Sequence, residues 1–327
     1  MKPIVADSAA IAEAVALLRQ GRLVAFPTET VYGLGADASN PEAVQRIFAA
    51  KGRPANHPLI VHLPSQDSLR DWAAEVPESA QKLAAHFWPG PLALVLKKRP
   101  EVSAVVTGGQ DTIALRVPNH PVALNLLKAF AGGIAAPSAN RFCRISPTLA
   151  EHVAEELGES VDLILDGGAC QVGVESTIVD LSGEVPRLLR PGKISQADIE
   201  AVLQTALVFP HAKAVTDLRA PGMMDVHYAP TTLAVRCASA ALPTRIKELV
   251  ASGKRVGVLT YQQKIVQNQD VQVLTIPKEA ELYAQQLYVS LRTLDGLNLD
   301  IILVETPPET MSWYAINDRL NKATVIL

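Results

Sequence analysis

The stretch "FPTETVYGLGA" (residues 26–36) places two threonines, a glutamate and a tyrosine where a strand would bury apolar side chains. It begins as a strand. "GRLVAFP" runs through Leu23, Val24, Ala25 and Phe26 to Pro27, whose missing N–H confines it to a strand end or edge. Beyond Pro27, period-two alternation predicts Phe26, Thr28, Thr30 and Tyr32 on one face of an extended chain. Gly33 and Gly35 open backbone conformations barred to other residues. Two readings follow: a strand that frays into a polar turn, or a polar face that lines a ligand site.

Outward from this stretch, helix and strand patterns alternate. "SAAIAEAVALLRQG" sets Ile11, Ala14, Val15 and Leu18 on one helical face, with Ser8 as the expected cap and Gly21 as the stop. "NPEAVQRIFAAKGRP" reads as a helix with Asn40 at the cap, Pro41 in first position and an end near Gly52. "HPLIVHL", "LALVLKK", "TIALRVP", "GGIAAPS", "VDLILDGG" and "ESTIVDL" read as strands, with helices near "ESAQKLAAHFW", "HPVALNLLKAF" and "SPTLAEHVAEEL". The expected fold class is α/β, a twisted mixed sheet with helices packed on it. Periodicity fails between residues 209 and 230, a stretch long enough to be a linker, lid or binding loop. After it, strand and helix patterns return as a smaller α/β unit. The expected division is therefore 1–208, a linker or lid at 209–230, and 231–327.

Composition narrows the function. The 327 residues are 48% hydrophobic with a formal charge of -3, so a polyanion would need a local basic cluster rather than the whole surface. The three cysteines (Cys143, Cys170, Cys237) form no CxxC, which fits a reducing cytosol and predicts a cytoplasmic protein without structural zinc. The amino terminus lacks the apolar core of a signal peptide, and no stretch is long enough to span a membrane. There is no GxxxxGK[ST], HExxH or GxSxG, and the seven histidines lack metal spacing. No set of metal ligands is expected.

The unusual residues are polar groups at strand ends. In "DTIALRVP", Thr112, Ala114 and Arg116 oppose Ile113, Leu115 and Val117, and the plain reading gives that second face to solvent. His62 in "PLIVHLP" could equally be a satisfied structural group. "APSANRFCRISPT" supplies Ser138, Asn140 and Ser146, the last readable as a helix cap before Pro147. Lys51 and Arg53 close a helix, Ser176 and Thr177 open a strand, and Arg190 precedes a Pro-Gly turn. Each has a structural explanation taken alone. Together they collect cations and hydroxyls at strand ends, where α/β sheets bind ligands. Such a set suits phosphoryl or nucleotidyl transfer, which depends on positioning and charge neutralisation.

In order along the chain, "FPTETVYGLGADA", "KGRPANHPLIVH", "WPGPLALVL", "ALRVPNHP", "APSAN…SPT" and "VESTIVDL…LLRPG" resemble the YrdC-like threonylcarbamoyl-AMP synthase family, over about residues 10–200. "APGMMDVHYAP" and the following unit, which that branch would make Rossmann-like, resemble its longer, two-domain form. The resemblance implies a nucleotidyltransferase that converts L-threonine, bicarbonate and ATP to threonylcarbamoyl-AMP and pyrophosphate. Partner proteins of tRNA modification would consume the product. It implies a threonine site at Thr30, His62, Arg116, Ala136 and Ser176. It implies an ATP site at Arg53, His57, Thr112, Ser138, Asn140, Ser146, Arg190 and Tyr228. Lys51 and Arg53 would act on the phosphates, with Mg2+ carried largely by the nucleotide. His57 stands where relatives often have Asn or Asp, and Cys143 where they often have a small residue. Two rivals share the domain: a carbamoyl transferase of the hydrogenase-maturation type, and a double-stranded RNA-binding module, with weak RNA binding as a side activity.

Overall fold

The computed structural model describes residues 1–208, 219–222, 224 and 226–326. Of the expected lid, residues 209–218, 223 and 225 lie outside the described residues. The chain divides into two compact units. The first comprises Met1–Phe142, Pro147–Gln171 and Glu175–Met223; the second comprises Cys143–Ser146, Val172–Val174 and Met224–Leu327.

The first unit is built on ten strands: β1 (Ile4–Val5), β2 (Val24–Phe26), β3 (Gly33–Asp37), β4 (Ile60–His62), β5 (Leu92–Lys97), β6 (Thr112–Arg116), β7 (Ile134–Ala135), β8 (Leu163–Asp166), β9 (Thr177–Asp180) and β10 (Arg187–Arg190). Their order is β1-β8-β2-β3-β7-β4-β6-β5-β9-β10, a mixed sheet with parallel pairs β1/β8, β2/β8, β4/β6 and β5/β9. The helices are α1 (Ser8–Arg19), α2 (Pro41–Lys51), α3 (Leu69–Trp72), α4 (Glu78–Phe87), α5 (Pro121–Phe130), α6 (Ala150–Leu157) and α7 (Gln196–Leu203).

Local chemistry explains the helix ends. Asn40 caps α2 by accepting from the Glu42 and Ala43 amides, Pro41 takes the first position, and Gly52 closes it at φ 62°. This ending places Lys51 in the last turn. At α1 the cap is Asp7, which accepts from the Ala10 amide; Ser8, expected as the cap, is already the first helical residue. Ser146 is not a helix cap either. The next helix, α6, starts at Ala150 after Leu149, and Ser146 is buried. Strands β1 and β10 and helix α7 had too few residues or too weak a pattern to be expected.

Alternation along the strands divides the sheet into two faces. Ala25, Leu34, Val61, Leu94, Leu115 and Val179 join one core with apolar residues of α2, α3, α4, α6 and α7. On the opposite face α1 and α5 cover Val24, Phe26, Ile134, Leu163 and Leu165. Further along that face lies a small cluster of Ile60, Ala93, Val95, Ala114, Ile178 and Leu189, packed against Ala220. Residues 219–222 are held there by named bonds: Arg219 donates to the Gly108 carbonyl at 2.8 Å, and the Gln110 side chain accepts from the Arg219 amide at 2.6 Å. The face carrying Thr112, Ala114 and Arg116 is thus not open to solvent. Ala114 and Arg116 are buried.

The opening stretch departs from the extended reading. The strand stops at Phe26, because the Thr28 hydroxyl accepts from the Thr30 and Val31 amides at 3.2 Å and donates to the Val31 carbonyl at 2.6 Å. This is a side-chain-mediated turn. Tyr32 leaves the polar group, entering the core with its hydroxyl on the Gly168 carbonyl at 2.8 Å. Gly33 and Gly35 belong to β3, where space rather than backbone freedom requires them. A Cβ on Gly35 would stand 2.8 Å from the Phe26 ring and 3.0 Å from the Val24 carbonyl.

The second unit holds β11 (Ala234–Cys237), β12 (Val256–Thr260), β13 (Val271–Thr275), β14 (Ile301–Glu305) and β15 (Val325–Ile326), all parallel in the order β13-β12-β14-β11-β15. With them are α8 (Leu242–Ala251), α9 (Ala280–Asp295) and α10 (Tyr314–Ala323). Helix α8 covers Val235, Val256, Val258 and Leu303. On the other face Gly257 lets Leu294 of α9 and Leu299 approach. Helices on both faces make this unit a doubly wound parallel sheet, though its strand order, 3-2-4-1-5 within the unit, departs from the Rossmann order 3-2-1-4-5-6 that the resemblance implied. Among the described residues no helix is long and apolar enough to cross a membrane.

Candidate active site

The register of β4 and β6 sets the centre of the site. His62 pairs with Arg116, and both project from the face opposite Val61 and Leu115. Arg116 is 3% exposed. Its Nε donates to the Gly90 carbonyl at 3.2 Å, its Nη1 donates to Thr30 Oγ1 at 3.0 Å, and its Nη2 lies 2.7 Å from Glu29 Oε1. The Thr28–Val31 turn therefore delivers Thr30 and Glu29 to the guanidinium. His62 is held down to about 3, first by burial and then by the Arg116 charge, with the Ile60 and Ile134 carbonyls opposing the shift. It is a neutral imidazole at physiological pH.

A second group gathers around the 138–140 loop. The Lys51 ammonium, buried at the end of α2, donates to the carbonyls of Ser138 at 2.6 Å and Asn140 at 2.5 Å. Ser138 also bridges to Gly33 of β3. Lys51 thus pins the loop that carries Ser138 and Asn140 to the helix end. Ala136, just before this loop, donates its amide to the Ile60 carbonyl at 3.0 Å.

Arg53 forms a third group. Its Nη2 donates to the Pro58 carbonyl at 3.0 Å, and its guanidinium lies 5.9 Å from the Phe142 ring centroid. His57 meets the same ring edge-on at 5.4 Å. The His57 imidazole is shifted below its ordinary value by partial burial and then by the charges of Arg53 and Arg219. A fourth group joins residues expected in different sites. Arg190 donates through Nε to the Ser176 carbonyl at 3.0 Å and through Nη2 to Ser176 Oγ at 3.1 Å, while Nη1 donates to the Pro221 carbonyl at 3.1 Å. Thr112 opens β6 two residues before Ala114 on the Arg116 face, half-buried.

Two expected residues fall in the second unit. Ser146 belongs to its Cys143–Ser146 segment. Tyr228 is buried there at φ 61°, its ring stacked on Tyr288 at 5.9 Å with the Arg319 guanidinium 5.3 Å above it. Glu29 was not among the expected site residues, although it is buried at the centre. Its signal was present in "PTET", a charge among residues otherwise destined for the interior. Gly90 contributes only a carbonyl, which no side-chain pattern announces.

No cluster of histidine, cysteine and carboxylate groups fit to hold a metal occurs among the described residues. The first unit instead presents guanidinium and ammonium groups with hydroxyls, donors matched to carboxylate and phosphate oxygens.

A family model described as "Telomere recombination" matches residues 16–192, and one described as "Threonylcarbamoyl-AMP synthase, C-terminal domain" matches residues 194–325. A Pyrococcus abyssi protein named threonylcarbamoyl-AMP synthase is 44% identical over 322 residues, covering 95% of this chain and 93% of the relative. A Bacillus subtilis protein of the same name is 44% identical, covering 96% and 92%. A crystal structure of P. abyssi Sua5 complexed with L-threonine superimposes with TM-score 0.90 at 42% identity, over 97% of this chain and 96% of that one.

Proposed function

The chain belongs to the Sua5/YciO/YrdC family in its two-domain form, and from that premise we propose that it is a threonylcarbamoyl-AMP synthase. The observation that carries this reading is the buried Arg116 with the Thr30 hydroxyl on its Nη1. It is a fork for an amino-acid carboxylate beside a hydroxyl-lined wall. The chain's relative in P. abyssi has been crystallised with L-threonine.

The reaction is a nucleotidyl transfer. The L-threonine amine and bicarbonate condense to a carbamate with loss of water, and a carbamate oxygen attacks the α-phosphorus of ATP as pyrophosphate leaves. Thr30, His62, Arg116, Ala136 and Ser176 hold the amino acid, and neutral His62 serves as a hydrogen-bonding wall rather than a charge. Arg53, His57, Thr112, Ser138, Asn140 and Arg190, all of the first unit, hold the nucleotide. Arg53 meets phosphate oxygens, and Lys51 acts partly by fixing the 138–140 loop against which the nucleotide lies. Orientation and neutralisation of the leaving pyrophosphate supply the rate, and no covalent nucleophile is required. Mg2+ would be carried largely by the nucleotide and would neutralise phosphate charge, since hard cations of this kind keep phosphate and water ligands. The product serves the protein machinery that modifies tRNA in the cytoplasm.

Residues 1–208 form the catalytic domain, 209–230 a lid and 231–327 the accessory domain. The hydrogen bonds from Arg219 to the Gly108 carbonyl and from Arg190 to the Pro221 carbonyl, with Ala220 packed against Ile60 and Ala114, support the lid. The decisive experiment is pyrophosphate release from ATP with bicarbonate, with and without L-threonine. Threonine-dependent release is expected; release indifferent to threonine would defeat the reading.

A further inference from the structure

Glu29 is 3% exposed, yet the structure leaves its carboxylate poorly served. Its Oε1 lies 2.7 Å from Arg116 Nη2, but among the described residues neither carboxylate oxygen, nor that nitrogen, makes a hydrogen bond of sound geometry. The nearby hydroxyls cannot help. Thr28 gives its single proton to the Val31 carbonyl, so Thr30 must be the donor in the Thr28–Thr30 pair at 2.8 Å. The other titratable neighbours are equally unhelpful. Burial lowers His120 against the opposing pull of the Glu29 charge, and its Nδ1 is taken up in accepting from the Val122 amide. Burial, and then the Glu29 charge, raise the Cys170 thiol. A buried carboxylate with unfilled acceptor positions is costly and calls for an explanation.

We propose that Glu29 receives the α-ammonium group of the amino-acid substrate while Arg116 receives its carboxylate, an inference that rests on the reading of this pocket given above. A carboxylate beside a guanidinium is the reverse of the two charges that an amino acid carries on one carbon. Between themselves the two side chains neutralise one another, which makes their burial tolerable. The entering zwitterion fills the orphan positions on both. A hydroxy acid or simple carboxylate would satisfy Arg116 and leave Glu29 unfilled, so the pocket selects for the amino group.

The test is calorimetric titration of the full chain with L-threonine and with (2S,3R)-2,3-dihydroxybutanoate, which has a hydroxyl in place of the ammonium. Wild type should prefer threonine by about 30-fold, within the range for a charge-assisted bond. Glu29→Gln should lose about 30-fold in threonine affinity and change by less than about threefold for the hydroxy acid, so that the preference collapses, with ATP binding kept. If Glu29 only orients Arg116, both ligands weaken together and the ratio survives, which overturns the proposal. Equal affinities in wild type overturn it without any variant. Should Glu29→Gln fail to fold, Glu29→Asp draws the charge back from the ammonium, and an unchanged ratio there overturns it as well. Wild type that binds neither ligand would defeat the pocket reading itself.

Discussion

His62 and Arg116 face each other across one rung of the sheet, and their burial makes each sensitive to a different variable. His62 sits at about 3 in the folded chain against 6.5 when unfolded. Between those values the unfolded state binds the extra proton, so this residue costs stability as pH falls through the window, by up to about 1.4 kcal/mol per pH unit. His62→Gln removes that proton. Its stability relative to wild type should climb between pH 6 and pH 4 in urea titrations; parallel curves would contradict the assignment. Arg116→Ala should raise the threonine requirement by about 2–4 kcal/mol while ATP binding stays close to wild type. The same change strands the buried Glu29, and breaking such a pair costs about 3–5 kcal/mol, so a lower melting temperature should accompany it. Equal loss of both ligands in the folded variant would reassign Arg116 to scaffolding. At this scale Arg116 stood out through the family motif alone, since strand alternation by itself gave its face to solvent. Its ion pair with Glu29 was not readable there, because two residues in different segments meet only through the register and the turn.

Among the elements, β3 and the 138–140 loop show how backbone approach shapes the site. Strand β3 carries glycine where Phe26 and Ile134 crowd the sheet. Gly35→Ala should therefore cost about 1–3 kcal/mol through overpacking, read as a shift of the denaturation midpoint. A neutral outcome would mean that Phe26 yields easily. Lys51→Met tests the loop, because it keeps most of the buried chain and removes the donors to the Ser138 and Asn140 carbonyls. Slower adenylate formation with a raised ATP requirement is expected, and unchanged pyrophosphate release would refute it. Helices α2, α4 and α5 stood out in the sequence through their apolar period and, in α2, its cap and closing glycine. The strand reading of 26–32 failed for a local reason. A threonine hydroxyl competes for backbone amides, and alternation alone does not reveal that competition.

For the whole molecule, the first unit's two large cores draw on residues up to Leu207. A chain ending at residue 208 should accordingly melt cooperatively, yet lose synthesis or release its adenylate to hydrolysis. Full activity in that truncated chain would remove any role for residues 209–230. The sequence by itself determined the α/β class, the break in pattern after residue 208 and the family motifs with their cations and hydroxyls. These follow from local rules: hydrophobic period, caps, proline and glycine placement, and residue types suited to phosphate and carboxylate. The tertiary structure alone decided the ten-strand order, the pairing of His62 with Arg116, the joining of Ser176 to Arg190 and the burial of Glu29. Each of these depends on contacts between segments far apart in the chain. Such contacts are set by the summed packing of both sheet faces, which no short window of sequence contains.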